Sequence, residues 1–186
     1  MEKILIVVDM QNDFITGSLG TPEALEIVPK VVKKIRRFKG RIYATQDTHP
    51  ADYLFTQEGK KLPIEHCINL TNGWLLNEKI INSLYSKRKN INVEFITKDT
   101  FGSYDLLIKI MEDVIDISDC EIELIGLCTD ICIISNAIML KSFFTETKII
   151  VDASCCAGTS PESHKRALEA MEMCQIDIIR KGELND

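Results

Sequence analysis

The chain has 186 residues, of which 45% are hydrophobic and 27% charged, with a formal net charge of −6. This length suits one domain with its own core, so a single domain over 1–186 is expected. The negative balance excludes a basic face for nucleic-acid phosphates or anionic lipids, and neither nucleic acid nor a membrane is an expected partner. No apolar run approaches the ~20 residues of a membrane span and no signal-peptide pattern opens the chain, which predicts a cytoplasmic location.

The seven cysteines are odd in number and scattered, which predicts reduced thiols instead of a secreted disulfide framework.

Short β-branched runs alternate with longer amphipathic segments, a pattern typical of an α/β fold with a parallel sheet. The predicted strands cover 4–9, 41–47, 92–98, 121–126, 148–152 and 175–179. The predicted helices cover 22–40, 75–86, 104–114, 130–144 and 161–173, with Thr21 and Ser160 as N-caps. Segment 48–74 has no clear periodicity, and so long a loop in a compact domain is typical of a functional or disordered segment.

Polar residues stand at the ends of four predicted strands. These ends carry Asp9, Asp47, Lys98 and the run from Gly126 to Cys132. Ligands of an open parallel sheet bind beyond the carboxyl ends of its strands, so this edge is the expected site.

Cys132 is the strongest candidate for a nucleophile because the preceding turn places its thiol in the first turn of a helix. The helix dipole and the Lys98 ammonium would favour the thiolate, and free backbone N–H groups there can hold an oxyanion. Most free cysteines are buried apolar residues, and this interpretation is kept for the others. One of the adjacent Cys155 and Cys156 is expected near the mouth of the site.

Several motifs occur in the order typical of one family. The chain resembles the isochorismatase-like cysteine hydrolases, nicotinamidases among them, in Asp9-Met10-Gln11-Asn12-Asp13-Phe14, in Lys98 before Phe101-Gly102-Ser103-Tyr104, and in Gly126 through Cys132. Further matches at 47–50, 62–67, 152–153 and 160–168 extend the resemblance over nearly the whole chain. It implies a three-layer α/β/α sandwich whose six-stranded parallel sheet has the order 3-2-1-4-5-6.

The resemblance implies a catalytic triad of Asp9, Lys98 and Cys132. Asp9 would move the proton, Cys132 would attack the amide, and Lys98 would hold both in register. The backbone N–H groups of Cys128 and Cys132 would bind the oxyanion, with a cis peptide between Leu127 and Cys128.

The resemblance also implies a metal site at Asp47, His49 and His66, and Glu58 could add a fourth ligand. Zinc, iron or manganese suits such a donor set, and no organic cofactor is expected. The alternative is that the two histidines hold the irregular loop together by hydrogen bonds. His164 is interpreted as structural.

Phe14, Leu62, Phe101 and Tyr104 are the expected pocket residues, and Trp74 could contribute a further ring. Leu62 stands where nicotinamidases usually carry an aromatic residue, which leaves the substrate open. The polar segment 53–61 could equally form a lid for an acidic substrate.

The leading hypothesis is a metal-assisted amidase that converts nicotinamide, or a close analogue, to the acid and ammonia. The first alternative is a metal-free amidase of a ureido or carbamoyl substrate. The second, from another class, is a thiol-redox or metal-binding protein that uses Cys128 and Cys132. The only predicted partners are the small amide and further copies of the chain, since the resemblance implies a homo-oligomer.

Overall fold

The computed structural model describes residues 2–88 and 91–180 and shows one six-stranded, all-parallel sheet. Its strand order is β3-β2-β1-β4-β5-β6, which confirms the predicted topology. The strands are β1 (Glu2–Val8), β2 (Arg41–Asp47), β3 (Val93–Lys98), β4 (Cys120–Leu127), β5 (Lys148–Ala157) and β6 (Asp177–Ile179). The helices are α1 (Asn12–Ile15), α2 (Pro22–Arg37), α3 (Gln57–Lys61), α4 (Glu78–Arg88), α5 (Tyr104–Asp113), α6 (Ile134–Phe143) and α7 (Pro161–Met173).

The central strand β1 shows why the sheet is covered on both faces. Ile4, Ile6 and Val8 are fully buried in one core cluster, while Leu5 and Val7 are fully buried in the other. Parallel strands with helices on both faces are apolar along their whole length instead of alternating with polar residues. The continuous apolar run of β1 therefore suits its central position in the sheet.

Two of the helices begin at the predicted caps. Thr21 accepts a hydrogen bond from the Ala24 amide at the start of α2, and Ser160 accepts one from the Ser163 amide at the start of α7. Both precede a proline at the first helical position, where the missing N–H costs nothing. Within 2–88 and 91–180, no helix combines the length and apolarity needed to cross a membrane.

Tertiary pairing moved two predicted boundaries. The predicted helix 75–86 begins only at Glu78, because Leu76 forms a β-bridge with Gln11 and the Leu75 carbonyl accepts from the Asn12 amide. The fifth strand runs to Ala157 instead of ending at 152, since its last residues pair with the end of β4.

The irregular segment 48–74 is folded against the carboxyl ends of the strands. It contains a 3₁₀ turn at Tyr53–Phe55 followed by α3. His49 pairs with Ile68, donates from its amide to the Cys67 carbonyl, and accepts from Asn69. The loop is thereby held at the edge where the polar strand ends lie.

Candidate active site

Lys98 lies at the centre of the polar residues at this edge. Its Nζ lies 2.8 Å from Asp9 Oδ2, 3.1 Å from Asp47 Oδ1 and 3.5 Å from Cys132 Sγ. Burial favours a neutral lysine, but the facing Asp9, Cys132 and Asp47 outweigh it and raise the pKa of Lys98. The three strand ends and the cysteine that the sequence singled out are therefore brought together around one ammonium group.

Asp9 is fully buried directly after β1 and adopts a left-handed backbone conformation with φ of 47°. A residue other than glycine in this conformation is uncommon and is often found at functional sites. Thr45 donates a 2.6 Å hydrogen bond to Asp9 Oδ1. Burial raises the pKa of Asp9, although Lys98 opposes the shift. A carboxylate with a raised pKa is a better proton acceptor than an exposed one.

Gly126 lets β4, which leads to Cys132, lie closely against β1, which leads to Asp9. Gly126 has φ of 121°, and a Cβ there would lie 2.1 Å from the Val8 carbonyl oxygen. The chain then passes through a cis peptide between Leu127 and Cys128, as the resemblance implied, and enters a π-helical turn at Thr129–Ile133. Cys132 is carried on this turn at the start of α6.

The ionisation of Cys132 differs from the sequence expectation. Burial raises the pKa of this thiol well above its ordinary value, the Asp9 carboxylate adds to the shift, and Lys98 only opposes it. Lys98 favours the thiolate, as the sequence predicted, but the loss of hydration outweighs its effect. The thiol is therefore neutral at rest and needs a base, and Asp9 is the neighbouring carboxylate.

The two cysteines of the redox hypothesis are both free thiols that line one cavity. Burial raises the pKa of Cys128 to about 12, and that of Cys132 is raised as well. Thiol–disulfide exchange needs an accessible thiolate, so these surroundings disfavour that hypothesis. The amides of Cys128 and Cys132 stay predicted as the oxyanion donors.

Cys155 and Cys156 lie elsewhere. Each is buried, and they belong to the two different core clusters on opposite faces of the sheet. Neither lines the cavity that contains Cys132. The expectation of a cysteine at the mouth was wrong because β5 continues through both residues.

The predicted metal ligands form a compact cluster. One ligand atom from each of Asp47, His49 and His66 lies within 4.8 Å of the others. Glu58 Oε1 lies 3.8 Å from His49 Nε2 and 3.9 Å from His66 Nε2, so it faces the same point.

The histidine nitrogens distinguish metal binding from simple loop stitching. His66 Nδ1 lies 2.9 Å from the Ile64 carbonyl, which can only accept, so Nδ1 carries the proton and Nε2 is free to bind. His49 Nε2 is buried 3.0 Å from Asp47 Oδ2, and among the described residues no contact of this nitrogen has regular hydrogen-bond geometry. A buried nitrogen that faces two carboxylates without a regular hydrogen bond fits a divalent cation, and this donor set can hold one.

The sequence did not indicate two residues that hold the metal-ligand cluster in place. Tyr53 is fully buried against both histidines, with ring centroids 4.7 Å from His49 and 4.9 Å from His66. Gln11 is fully buried and bonds both the amide and the carbonyl of Asp47, at 2.7 and 2.8 Å. Gln11 lies inside the first family signature, which was its only sequence signal.

One cavity of about 380 Å³ is lined by several of the candidate groups, while Asp9, Lys98 and His49 lie outside its lining. Its lining includes the predicted pocket residues Phe14, Leu62 and Phe101, together with Asp47, Glu58, His66, Cys128 and Cys132. Tyr104 was a wrong prediction, since at the start of α5 it is 63% exposed and lies outside this lining. Trp74 is also outside, and its Nε1 donates to Thr48 Oγ1.

The doubly wound sheet, with Asp9, Lys98 and Cys132 gathered at its carboxyl edge, agrees with the class of isochorismatase-like hydrolases that the sequence resembles. The isochorismatase domain family matches residues 3–182, and the chain belongs to this family.

Three relatives with known names are two nicotinamidases and a pyrazinamidase. A nicotinamidase of Schizosaccharomyces pombe is 30% identical, over 96% of this chain and 93% of the relative. The crystal structure of nicotinamidase PncA from Bacillus subtilis superposes with a TM-score of 0.83 at 27% identity, over 97% of this chain and 100% of that one. The pyrazinamidase of Pyrococcus horikoshii in complex with zinc superposes with a TM-score of 0.75 at 27% identity, over the same shares.

Proposed function

We propose that the chain is a cysteine amidohydrolase that converts nicotinamide, or a close carboxamide analogue, to the carboxylic acid and ammonia. The observation that carries the proposal is that one cavity is lined by the Cys132 thiol and by Asp47, Glu58 and His66 of the metal-ligand cluster. The nucleophile and residues of the metal-ligand cluster thus line the same cavity, where a bound ion could orient the ring of an aromatic amide. The relatives that are nicotinamidases support the same substrate class.

Asp9 first takes the proton of the Cys132 thiol as the sulfur attacks the amide carbonyl carbon. The tetrahedral intermediate collapses to a thioester as Asp9 returns the proton to the departing ammonia. A water molecule then attacks the thioester with Asp9 as base, which gives the acid and restores the thiol. The raised pKa of Asp9 and the neutral state of Cys132 suit this proton cycle.

Lys98 contributes position and charge. Its contacts with Asp9 and Cys132 fix the acid next to the sulfur and stabilise negative charge as it moves between them. The amides of Cys128 and Cys132 are assigned to the oxyanion of the intermediate, because Cys128 caps the helical turn that carries the nucleophile.

Asp47, His49, His66 and Glu58 are assigned to a divalent metal, with zinc, iron or manganese as the candidates. When bound, such an ion would supply a Lewis-acid contact that holds the ring nitrogen of a pyridine amide and fixes the carboxamide near Cys132. Gln11 holds Asp47 in place, and Tyr53 packs against both histidine rings.

The experiment is ammonia release from nicotinamide and from an N-carbamoyl amino acid, each with and without prior chelation. We expect turnover of nicotinamide that falls on chelation and returns when zinc, iron or manganese is added back. Turnover of the carbamoyl substrate alone, unaffected by chelation, would reject the proposal in favour of a metal-free ureido amidase.

A homo-oligomer and a cytoplasmic location stay predictions. Analytical ultracentrifugation of the purified chain tests the first, and a single monomeric species would contradict it.

A further inference from the structure

Asn136 is a fully buried polar residue on α6, one helical turn beyond Cys132. A buried amide is costly unless its hydrogen bonds are made. Its Nδ2 donates to the Cys132 carbonyl at 2.8 Å and to the Phe101 carbonyl at 3.2 Å. Its Oδ1 accepts from the Ser103 amide at 2.9 Å. Two carbonyls and one amide leave a single orientation for this side chain.

These partners belong to two segments that the sheet keeps apart. Lys98 ends β3, and Cys132 follows β4, but β2 and β1 lie between these strands. Neighbouring strands are about 4.8 Å apart, so the two strand ends are separated by about 14 Å. The Lys98 side chain and the loop after it must therefore cross two strands to reach the nucleophile.

Asn136 joins the loop to the helix at the point where they meet. A Cβ on Gly102 would lie 3.4 Å from the Ser135 carbonyl oxygen, so the loop passes close to the backbone of α6. Ser103, whose amide bonds Asn136, also caps α5 by accepting from the Leu106 amide. Phe101, whose carbonyl bonds Asn136, lines the cavity.

We propose that Asn136 is a positioning residue that holds the Lys98–Ser103 segment against the Cys132 turn. It fixes the 3.5 Å contact between Lys98 Nζ and Cys132 Sγ without touching the substrate. This role deepens the proposed function and rests on it where hydrolysis is the readout.

Two substitutions separate positioning from simple stability. Asn136→Leu keeps the approximate volume and removes all of the hydrogen bonds. Asn136→Asp keeps the acceptor for Ser103 but, when ionised, loses both donors. We expect each to lower kcat for nicotinamide by about 100-fold, the order that a misplacement of 1 Å can cause, with a smaller change in KM.

The pH profile is the sharper readout. A protonated carboxyl regains one donor. The kcat of Asn136→Asp relative to the unaltered enzyme should therefore rise as the pH is lowered from about 8 to about 5. The same ratio for Asn136→Leu should not rise, because leucine has nothing to titrate.

Thr147→Val is the matched control. Thr147 is also buried, and it donates one hydrogen bond, to the Ile117 carbonyl, outside the cavity lining. We expect it to lower the urea midpoint without changing kcat per folded molecule. If the Asn136 variants behave like this control, the positioning role is rejected. If Asn136→Leu does not fold, the pH dependence of the relative kcat of Asn136→Asp tests the proposal alone.

A second measurement distinguishes failure of this inference from failure of the proposed function. Alkylation of Cys132 by iodoacetamide, followed by peptide mass spectrometry, reports the thiol without any substrate. We expect slower alkylation in the Asn136 variants than in Thr147→Val, because a displaced Lys98 no longer favours the thiolate. Equal rates would overturn the inference even if nicotinamide is hydrolysed, and slower rates would support it even if nicotinamide is not a substrate.

Discussion

One carboxylate, that of Asp47, joins Lys98 to the metal-ligand cluster. Asp47 Oδ1 lies 3.1 Å from Lys98 Nζ, while Oδ2 lies 3.0 Å from His49 Nε2. The two groups that the sequence suggested separately therefore share one residue. A change at Lys98 should affect both the nucleophile and the charge balance of the metal ligands.

Lys98→Met should destabilise the fold as well as abolish hydrolysis. It leaves the buried carboxylates of Asp9 and Asp47 without their cation, and breaking a buried ion pair from one side costs about 3–5 kcal/mol. Urea unfolding measures the change. Lys109→Met is the control, because Lys109 pairs with Asp113 at 2.9 Å on the surface of α5 and its loss should change stability little. Equal urea midpoints for the two variants would contradict the burial argument.

Cys132→Ala should lower amide turnover by about 10⁶-fold, the scale seen when the nucleophile is removed from a serine protease triad. Cys120→Ala is a closely matched control, since Cys120 is 3% exposed, Cys132 is 4% exposed, and both lie in the same core cluster. It should keep its kcat. Mass spectrometry of acid-quenched reactions should find an acyl adduct on Cys132 in the unaltered chain. Turnover that survives Cys132→Ala would return the redox hypothesis to consideration.

His49→Ala and His66→Ala should each reduce the metal bound per chain. Both remove a nitrogen that faces the point shared with Asp47 and Glu58. His164→Ala is the control within the same chain, because His164 Nδ1 bonds Thr129 Oγ1 and lies outside the cluster. Elemental analysis after dialysis gives the metal content. The metal assignment is rejected if both His49→Ala and His66→Ala retain as much metal as the unaltered chain.

Glu123 should make folding less favourable as pH rises. Burial raises the pKa of Glu123 above its model-peptide value of 4.5, although Lys34 pairs with it. The folded state therefore binds this proton more tightly than the unfolded state, so this contribution is fully present below the ordinary pKa. It is lost as pH rises through the higher folded pKa.

Glu123→Gln tests this sign because the amide has nothing to titrate. The free energy of unfolding of the unaltered chain, relative to this variant, should fall as pH rises from about 4 to about 7. Glu162→Gln is the surface control, since Glu162 pairs with Arg166 on an exposed face of α7 and a surface ion pair contributes little to stability. A relative stability that rises over this interval would show that Lys34 outweighs burial.

The sequence by itself determined the parallel sheet, the strand ends that carry Asp9, Asp47 and Lys98, and the position of Cys132 at a helix start. Hydrophobic periodicity and capping residues are local properties, so they can be recognised without coordinates. The strand order came from the ordered family motifs, and the sheet confirms it.

The tertiary structure alone decided which of these groups meet and in what ionisation state. It showed that Asp47 contacts both Lys98 and His49, and that Tyr104 lies outside the cavity lining. It also showed that burial outweighs the effect of Lys98 on the Cys132 thiol, because the desolvation that raises its pKa comes from distant segments packing around it. Burial and charge pairing depend on which segments meet in space, and local sequence patterns do not contain that information.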